Sequence, residues 1–559
     1  MRRIACDVLV IGGGGAGLMA AHEASKHNVR VAVVSKGKVQ RSGVTIMAPG
    51  AISAVDDRWK HEGDSKELHI EDTVKGGSYL NDQEKVALMA NMAPDLVLEL
   101  ERMGAIFQRD ESGSTYALRI DGGHTYPRCP YLEDRTGKEM VKAMVSGLRK
   151  RHVPFYEGIM VTRLVRSGGR VVGATGIHLR TCESVIFECK SVILATGGAG
   201  TMYANTDNPI DLTGDGYALA LEAGASLRDM EFVQFYPVGF LFPMALKGML
   251  AGLLYYCCLY NAENERFMER YDNERLELST RDRVARAIMQ EVREGRGTPR
   301  GGVWMDMTFQ EPGFVARMTP ALHATYLNIG INPEKERIEI APTCHFFMGG
   351  MDTDIHWESS VPGLFGVGEA VGGMHGGNRL SQNALAEILI SGVVAGRHAA
   401  DLAASSDLTR IDPAEAECED ALIAAMFSVR EGRTPSEIRA RLKSIMWEDV
   451  GVIRSEASLE RALRGLDELA EQPMRITEKG RYMNRELVEA LENRNLLLAA
   501  RCVVLSALER KESRAAHYRE DFPQTDNTKF LTTTCVAKRG DELTVSSRPV
   551  LCNFVKPEA

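Results

Sequence analysis

Two hydrophobic regimes follow one another along this chain. Up to about residue 410, short apolar runs alternate with glycine-rich turns and helical stretches; beyond it, apolar positions recur at helical spacing and glycine becomes sparse. The first regime opens with an apolar strand over 6–11, a glycine cluster over 12–17, a helix over 18–27 and a second strand over 29–34. This predicts a βαβ unit. Further strand ends run into glycine at 192–198 and 364–368, with Thr213-Gly214-Asp215-Gly216 between them. In the second regime, 414–429, 435–447, 458–471 and 484–512 read as amphipathic helices, with Pro435 in a first turn. A β-like run at 531–536 closes the chain.

The glycine cluster carries the first chemical signal. Gly12, Gly14 and Gly17 stand in the G-x-G-x-x-G spacing between a strand and a helix. In that context the first glycine permits the tight turn, the second lets backbone approach a pyrophosphate, and the third lets helix and sheet pack closely. The acid that usually follows for a ribose is replaced by Ser35-Lys36, which argues against an ordinary NAD site. With 559 residues the chain is too long for one core, so two to four domains are expected. A net charge of −9 argues against a nucleic-acid partner, and the spacing of the eleven cysteines against a metal centre or a disulfide framework. Free thiols predict a cytoplasmic protein. Between 238 and 260 the only charge is Lys247, about the length of a membrane span, but Gly239, Pro243, Gly248 and Gly252 favour a buried wall of a cap.

From end to end the chain resembles the flavoprotein subunit of succinate dehydrogenase and fumarate reductase, a family that includes L-aspartate oxidase. The resemblance rests on Gly12 to Gly17, Arg41-Ser42, Asp134 to Gly137, Ala195 to Gly200, Thr213 to Gly216, Asp229 to Gln234, Arg281-Asp282, His345 with Met348 to Gly350, His375 to Leu380, Asn383 to Glu387, and Arg510 to Arg514 with His517. It implies an α/β fold: a two-dinucleotide-binding, Rossmann-like FAD domain (1–235 and 344–408) interrupted by an α+β capping domain (236–343). An α-helical domain (409–529) and a short C-terminal tail (530–559) would follow. It also implies FAD held by Gly12, Gly14, Gly15, Ala16, Gly17, Ser35, Lys36, Ser42, Gly43, Val161, Thr196, Gly197, Asp215, Glu369, Arg379, Asn383, Ala384 and Leu385. Arg281 matches the arginine that gives a proton to one alkene carbon while flavin N5 gives hydride to the other. His345 and Arg379 match the clamp on a substrate carboxylate. An iron–sulfur electron-transfer subunit is the implied partner in a hetero-oligomer, attached to the inner membrane, if at all, through a partner.

Three departures redirect the functional reading. Gly43 stands where the membrane-complex enzymes carry the histidine that binds FAD covalently, so noncovalent FAD is expected. Tyr236-Pro237-Val238-Gly239 replaces His-Pro-Thr-Gly, and no counterpart exists for Thr-Glu-Gly-x-Arg, whose Glu and Arg fall near Leu250 and Leu253. One carboxylate clamp survives while the opposite end turns apolar. The expected substrate therefore has one carboxylate and an apolar or aromatic body, facing Tyr236, Val238, Phe242, Lys247, Leu250, Leu253 and Phe346. Catalysis is assigned to Arg281, His345, Arg379 and Tyr236. An ordinary fumarate reductase or succinate dehydrogenase is the enzymatic alternative, and a non-catalytic FAD electron-transfer subunit the alternative of another class.

Overall fold

The computed structural model describes residues 2–557, apart from the side chain of Ala416. Five parallel strands run in the order Leu364–Gly366, Ser191–Leu194, Val8–Ile11, Val31–Ser35, Phe155–Glu157. Every residue of Val8–Ile11, Val31–Ser35 and Ser191–Leu194 is buried. This is why these strands read as continuous apolar runs instead of alternating ones: the sheet is covered on both faces. Helix Gly15–Ala24 crosses helix Asn383–Ala404 at close range, and a Cβ added at Gly396 would lie 2.5 Å from the Ala20 carbonyl oxygen. A four-stranded sheet of Arg2–Ala5, Ser184–Glu188, Arg170–His178 and Ile159–Ser167 lies beside it.

An antiparallel sheet of Val233–Phe240, Ile338–Phe347, Val303–Asp306 and Cys258–Tyr260 carries its own apolar cluster, including Val238, Phe240, Met305 and Ile340. Its two long strands pair from Val233↔Phe347 to Phe240↔Ile340, so the cap is joined to the rest by a hydrogen-bonded ladder. Two register shifts interrupt that ladder. Gln234 faces Phe346 and Phe235 faces Cys344, which leaves His345 as the extra residue; a second shift lies between Tyr236 and Gly239. Bulges of this kind re-aim side chains. The 238–260 segment leaves this sheet through short turns at Met244–Leu246 and Leu254–Tyr256. It is pinned by the Tyr326 hydroxyl donating to the Ala251 carbonyl at 2.6 Å and the Thr343 hydroxyl donating to the Gly248 carbonyl at 2.8 Å. Among the described residues no helix is long and apolar enough to cross a membrane.

Helices Ala414–Ser428, Pro435–Asp449, Glu456–Glu471 and Arg485–Glu509 form the C-terminal helical part. Thr434 and Ser455 open the second and third with capping boxes. The end of the chain is more than an appended tail. Thr532–Arg539 pairs with Glu542–Pro549 and also with Leu227–Arg228, closing a sheet with a much earlier part of the chain. The Arg510 to Arg514 motif is mostly internal. Arg510 donates to Glu231 at 2.6 Å and to Glu512 at 2.9 Å, and Arg514 donates to Glu512 at 2.7 Å, all of them buried; only Lys511 is exposed.

Candidate active site

One cavity of about 560 Å³ runs from the first glycine turn, past the N-terminus of helix Asn383–Ala404, to the underside of the cap. Gly12 has φ +121°, and a Cβ there would lie 2.1 Å from the Ala195 carbonyl oxygen. Gly14, by contrast, has open space where its Cβ would be and lines the cavity, so its backbone is free to meet a ligand. Helix Gly15–Ala24 has no side-chain cap, and neither does Asn383–Ala404, whose N-cap Gln382 has φ +67°. Both helix starts therefore offer N–H groups and the positive end of a dipole to the cavity. The buried Thr196 hydroxyl has no protein partner. Burial pushes the Glu369 carboxyl up to about 8; protonated at neutral pH, it can donate to a ligand. Phosphate-facing backbone, hydroxyls and a neutral acid form a donor set that fits FAD.

Ala16, Ser35, Ser42, Gly43, Val161, Gly197, Ala384 and Leu385 also line the cavity. Of the remaining expected contacts, Gly17 and Asn383 lie outside the cavity lining, while Lys36 and Asp215 line it with their charges already engaged by protein. Gly17 packs the helix against the sheet, its Cβ position lying 2.2 Å from the Gly12 carbonyl oxygen. Asn383 is turned away, its Oδ1 accepting from His69 Nε2 at 3.0 Å and its Nδ2 donating to Thr73 at 2.9 Å. The Lys36 ammonium is saturated by protein: Thr213 at 2.6 Å, Asp215 at 2.9 Å and Glu492 at 2.8 Å. Its three donors are spent, and Asp215 is shared with Asn495 at 2.8 Å, so this pair fastens the C-terminal end of strand Val31–Ser35 to helix Arg485–Glu509.

At the cap end the cavity gathers Tyr236, Arg281, His345, Phe346 and Arg379. His345 Nδ1 lies 2.5 Å from Asp207 Oδ2, and its ring centroid is 5.7 Å from that of Tyr236. Burial lowers the His345 pKa; Asp207 opposes this, and Arg379 and Arg281 add to the lowering. Arg379 donates to Gln234 Oε1 at 3.0 Å and stacks over Phe346 at 4.8 Å. Burial, with Arg281 nearby, lowers its pKa to about 9, so it stays charged at neutral pH. Arg281 starts helix Arg281–Arg293, donates to the Ser381 hydroxyl at 2.8 Å and lies 4.9 Å from the Tyr236 ring centre. Burial works against its charge but is outweighed by Tyr255, Tyr236 and Asp121, which raise its pKa. The Nε atoms of both arginines are buried without partners.

Met249, Leu250, Leu253, Tyr255 and Tyr256 of the 238–260 segment form the facing wall, joined by Met318 and Leu322. Other expected wall residues lie elsewhere. Val238 is fully buried in the cap's own core, because the bulge beside it points Tyr236 at the cavity instead. Phe242 is on the outer surface, stacked under Arg300 at 4.5 Å, and Lys247 is exposed. The sequence reading also missed Asp121, Asp207, Ser381 and Gln382, isolated polar residues with no motif of their own.

Residues 7–385 match the FAD binding domain family, and residues 439–559 match the fumarate reductase flavoprotein C-terminal family. A curated relative, a subunit of the fumarate reductase (CoM/CoB) of Methanothermobacter marburgensis, is 42% identical over 93% of this chain and 95% of its own length. Among solved structures, Mycobacterium smegmatis Sdh1 in complex with UQ1 superposes with a TM-score of 0.91 at 36% identity, covering 100% of this chain and 96% of its own. A quinol–fumarate reductase with menaquinol superposes with a TM-score of 0.92 at 30% identity, covering 100% of both. The chain belongs to the succinate dehydrogenase/fumarate reductase flavoprotein family, and is an FAD-dependent oxidoreductase acting on CH–CH groups.

Proposed function

We propose that this flavoprotein interconverts C=C and CH–CH bonds in a carboxylate that has one anionic end and an apolar or aromatic body. The observation carrying the proposal is the composition of the cavity's cap wall. Met249, Leu250, Leu253 and Leu254 line it, and no Asp, Glu or Arg lies between Gly239 and Asn261. A carboxylate buried against that wall without a partner costs more than the roughly 2–7 kcal/mol of an unpartnered neutral polar group. Bound FAD supplies hydride exchange at N5.

The chain's own residues do the rest. Arg379 presents its free Nε edge to the substrate carboxylate, a planar fork matched to two oxygens. His345, fixed by Asp207, stands beside it and gains affinity for a proton once an anion arrives. Arg281 holds the proton for the second alkene carbon, kept in place by Ser381 and the Tyr236 ring. Tyr236 contributes a neutral phenol, because burial raises its pKa. Gly43 has no nucleophile to offer, which supports noncovalent FAD. An iron–sulfur subunit is the proposed electron partner: relatives named as subunits work within assemblies, and this chain has no cluster ligands of its own among the described residues.

A second reading, fumarate or succinate itself, is favoured by the free Nε of Arg281, a second guanidinium edge in the same cavity, and by the name of the 42% identical relative. Flavin absorbance titrations separate the two. Butyrate or 3-phenylpropionate binding more tightly than succinate supports the one-carboxylate reading; succinate binding tenfold more tightly than both sinks it.

A further inference from the structure

Arg281 can act repeatedly only if something returns its proton. An arginine is a very weak acid, so a neutral guanidine left after transfer has to be refilled before the next cycle. The wall segment contains no acid for the task, and its one cation, Lys247, is exposed on the outer side. Among the described residues, the only carboxylate within ion-pair distance of the Arg281 guanidinium is Asp121, with Oδ1 3.9 Å from Nη2.

Asp121 arrives from an unrelated part of the chain, and its position is built. Its Oδ2 accepts from the Gln382 amide, whose own oxygen accepts from the Ala51 N–H. The Gly122 N–H donates to its Oδ1 at 2.8 Å. Gln382 is held at φ +67° to make this bridge, a left-handed conformation that costs a non-glycine residue about 1 kcal/mol or more. Tyr255 packs its hydroxyl over Gly122, where a Cβ would come within 2.0 Å of it, and it also interacts with Arg281. Asp121 lines the cavity while its side chain remains 17% exposed, against 12% for Arg281. It therefore stands within ion-pair reach of the arginine while part of its side chain stays accessible.

We infer that Asp121 is the relay that returns a proton to Arg281 from solvent. This rests on the preceding reading of Arg281 as proton donor. In the reductive direction the alkene takes two electrons as hydride from reduced FAD at one carbon and a proton from Arg281 at the other; a C–H bond forms as an N–H bond breaks. The Asp121 carboxylate then takes a proton from solvent and passes it to the neutral guanidine, which restores both the arginine cation and the carboxylate. Because 3.9 Å is longer than a hydrogen bond, the transfer needs the two groups to close by about an ångström.

The relay differs from simple positioning in when it is needed. The first turnover uses the proton Arg281 already holds; later ones need Asp121. The test uses full-length FAD-loaded protein, reduced anaerobically, with whichever of fumarate, crotonate or cinnamate reoxidises it fastest. Flavin reoxidation in one turnover is compared with steady-state turnover driven by reduced viologen. Asp121→Asn keeps an acceptor for Gln382 and is expected to slow repeated turnover at least ten-fold more than the first, with Asp121→Glu restoring most of the loss. Equal slowing of both phases, or no slowing of repeated turnover, overturns the relay. Arg281→Lys serves as the control on the underlying reading. If that variant stays active, or none of the three acids reoxidises the flavin, the donor assignment fails and the relay with it; if it is inactive while Asp121→Asn turns over normally, only the relay fails.

Discussion

Arg281, Arg379 and His345 meet in one cavity from positions far apart in the chain, and each is tuned by a neighbour outside any motif. Replacing Arg281 with Lys removes the fork that faces Ser381 and Tyr236 but keeps a positive charge. We expect kcat to fall at least about 100-fold, the usual scale for losing a positioned acid, with ligand affinity within a few-fold; steady-state kinetics beside flavin titration checks this. His345 gives a pH prediction. Its pKa is lowered in the free protein, so it is neutral at pH 7, and a bound carboxylate favours the imidazolium. Binding then takes up a proton, and affinity for a carboxylate rises as pH falls from 8 to 6, by up to about tenfold per pH unit. A flat titration would show that His345 makes no charged contact with the ligand. Arg281, Arg379 and His345 were legible because they sit in recognisable strings. Asp121 and Asp207 were not: Asp121-Gly122-Gly123 reads as a turn, and nothing local links it to an arginine 160 positions later.

Glycine turns, strand ends and capped helices carry their own local signatures, and at this scale the sequence was read to within a few residues. The helix expected to reach 512 ends instead at Glu509, and the following residues turn inward as the buried Arg510–Glu512–Arg514 cluster. The bulges at His345 and beyond Tyr236 escaped notice because a ladder's register depends on both strands at once. They explain why Tyr236 faces the cavity and Val238 does not. Lys36 shows the same limit: the resemblance implies it as an FAD contact, whereas Glu492, which helps neutralise it, lies 456 residues away. Lys36→Met leaves Asp215 and Glu492 without their cation, a loss of about 3 kcal/mol for breaking a buried pair. A lower thermal midpoint and weaker FAD retention on gel filtration are expected; an unchanged midpoint would mean the pair contributes little. Gly43, at φ +82° and 3.8 Å (from its Cβ position) from the Gly14 Cα, has no side chain to bond flavin, so acid precipitation should release all the FAD into the supernatant. Flavin remaining with the precipitate would contradict this.

Long-range closure defines the whole molecule: the C-terminal hairpin completes a sheet with Leu227–Arg228, and buried charges seal the seams. Such pairings leave little trace in composition, which is why the end of the chain read as a tail. Buried titratable groups also set how stability depends on pH. His69, His124 and His375 are held by burial at about 3, 4 and 3, so below about 6.5 the unfolded chain binds protons the folded one does not, and stability falls as pH falls. Glu369 and Glu387 are raised by burial to about 8, so from about 4.5 to 8 the folded chain holds extra protons, and stability falls as pH rises. Three histidines outweigh two carboxyls below 6.5, which puts the highest thermal midpoint near pH 6.5; a midpoint still rising at pH 8 would contradict that balance. The central claim, a flavin site that grips one carboxylate and faces an apolar wall, is tested most directly by stopped-flow reoxidation of the reduced protein without oxygen. Crotonate or cinnamate reoxidising the flavin faster than fumarate at equal concentration is the predicted result; fumarate reacting tenfold faster than either, or no acid reacting at all, would contradict it.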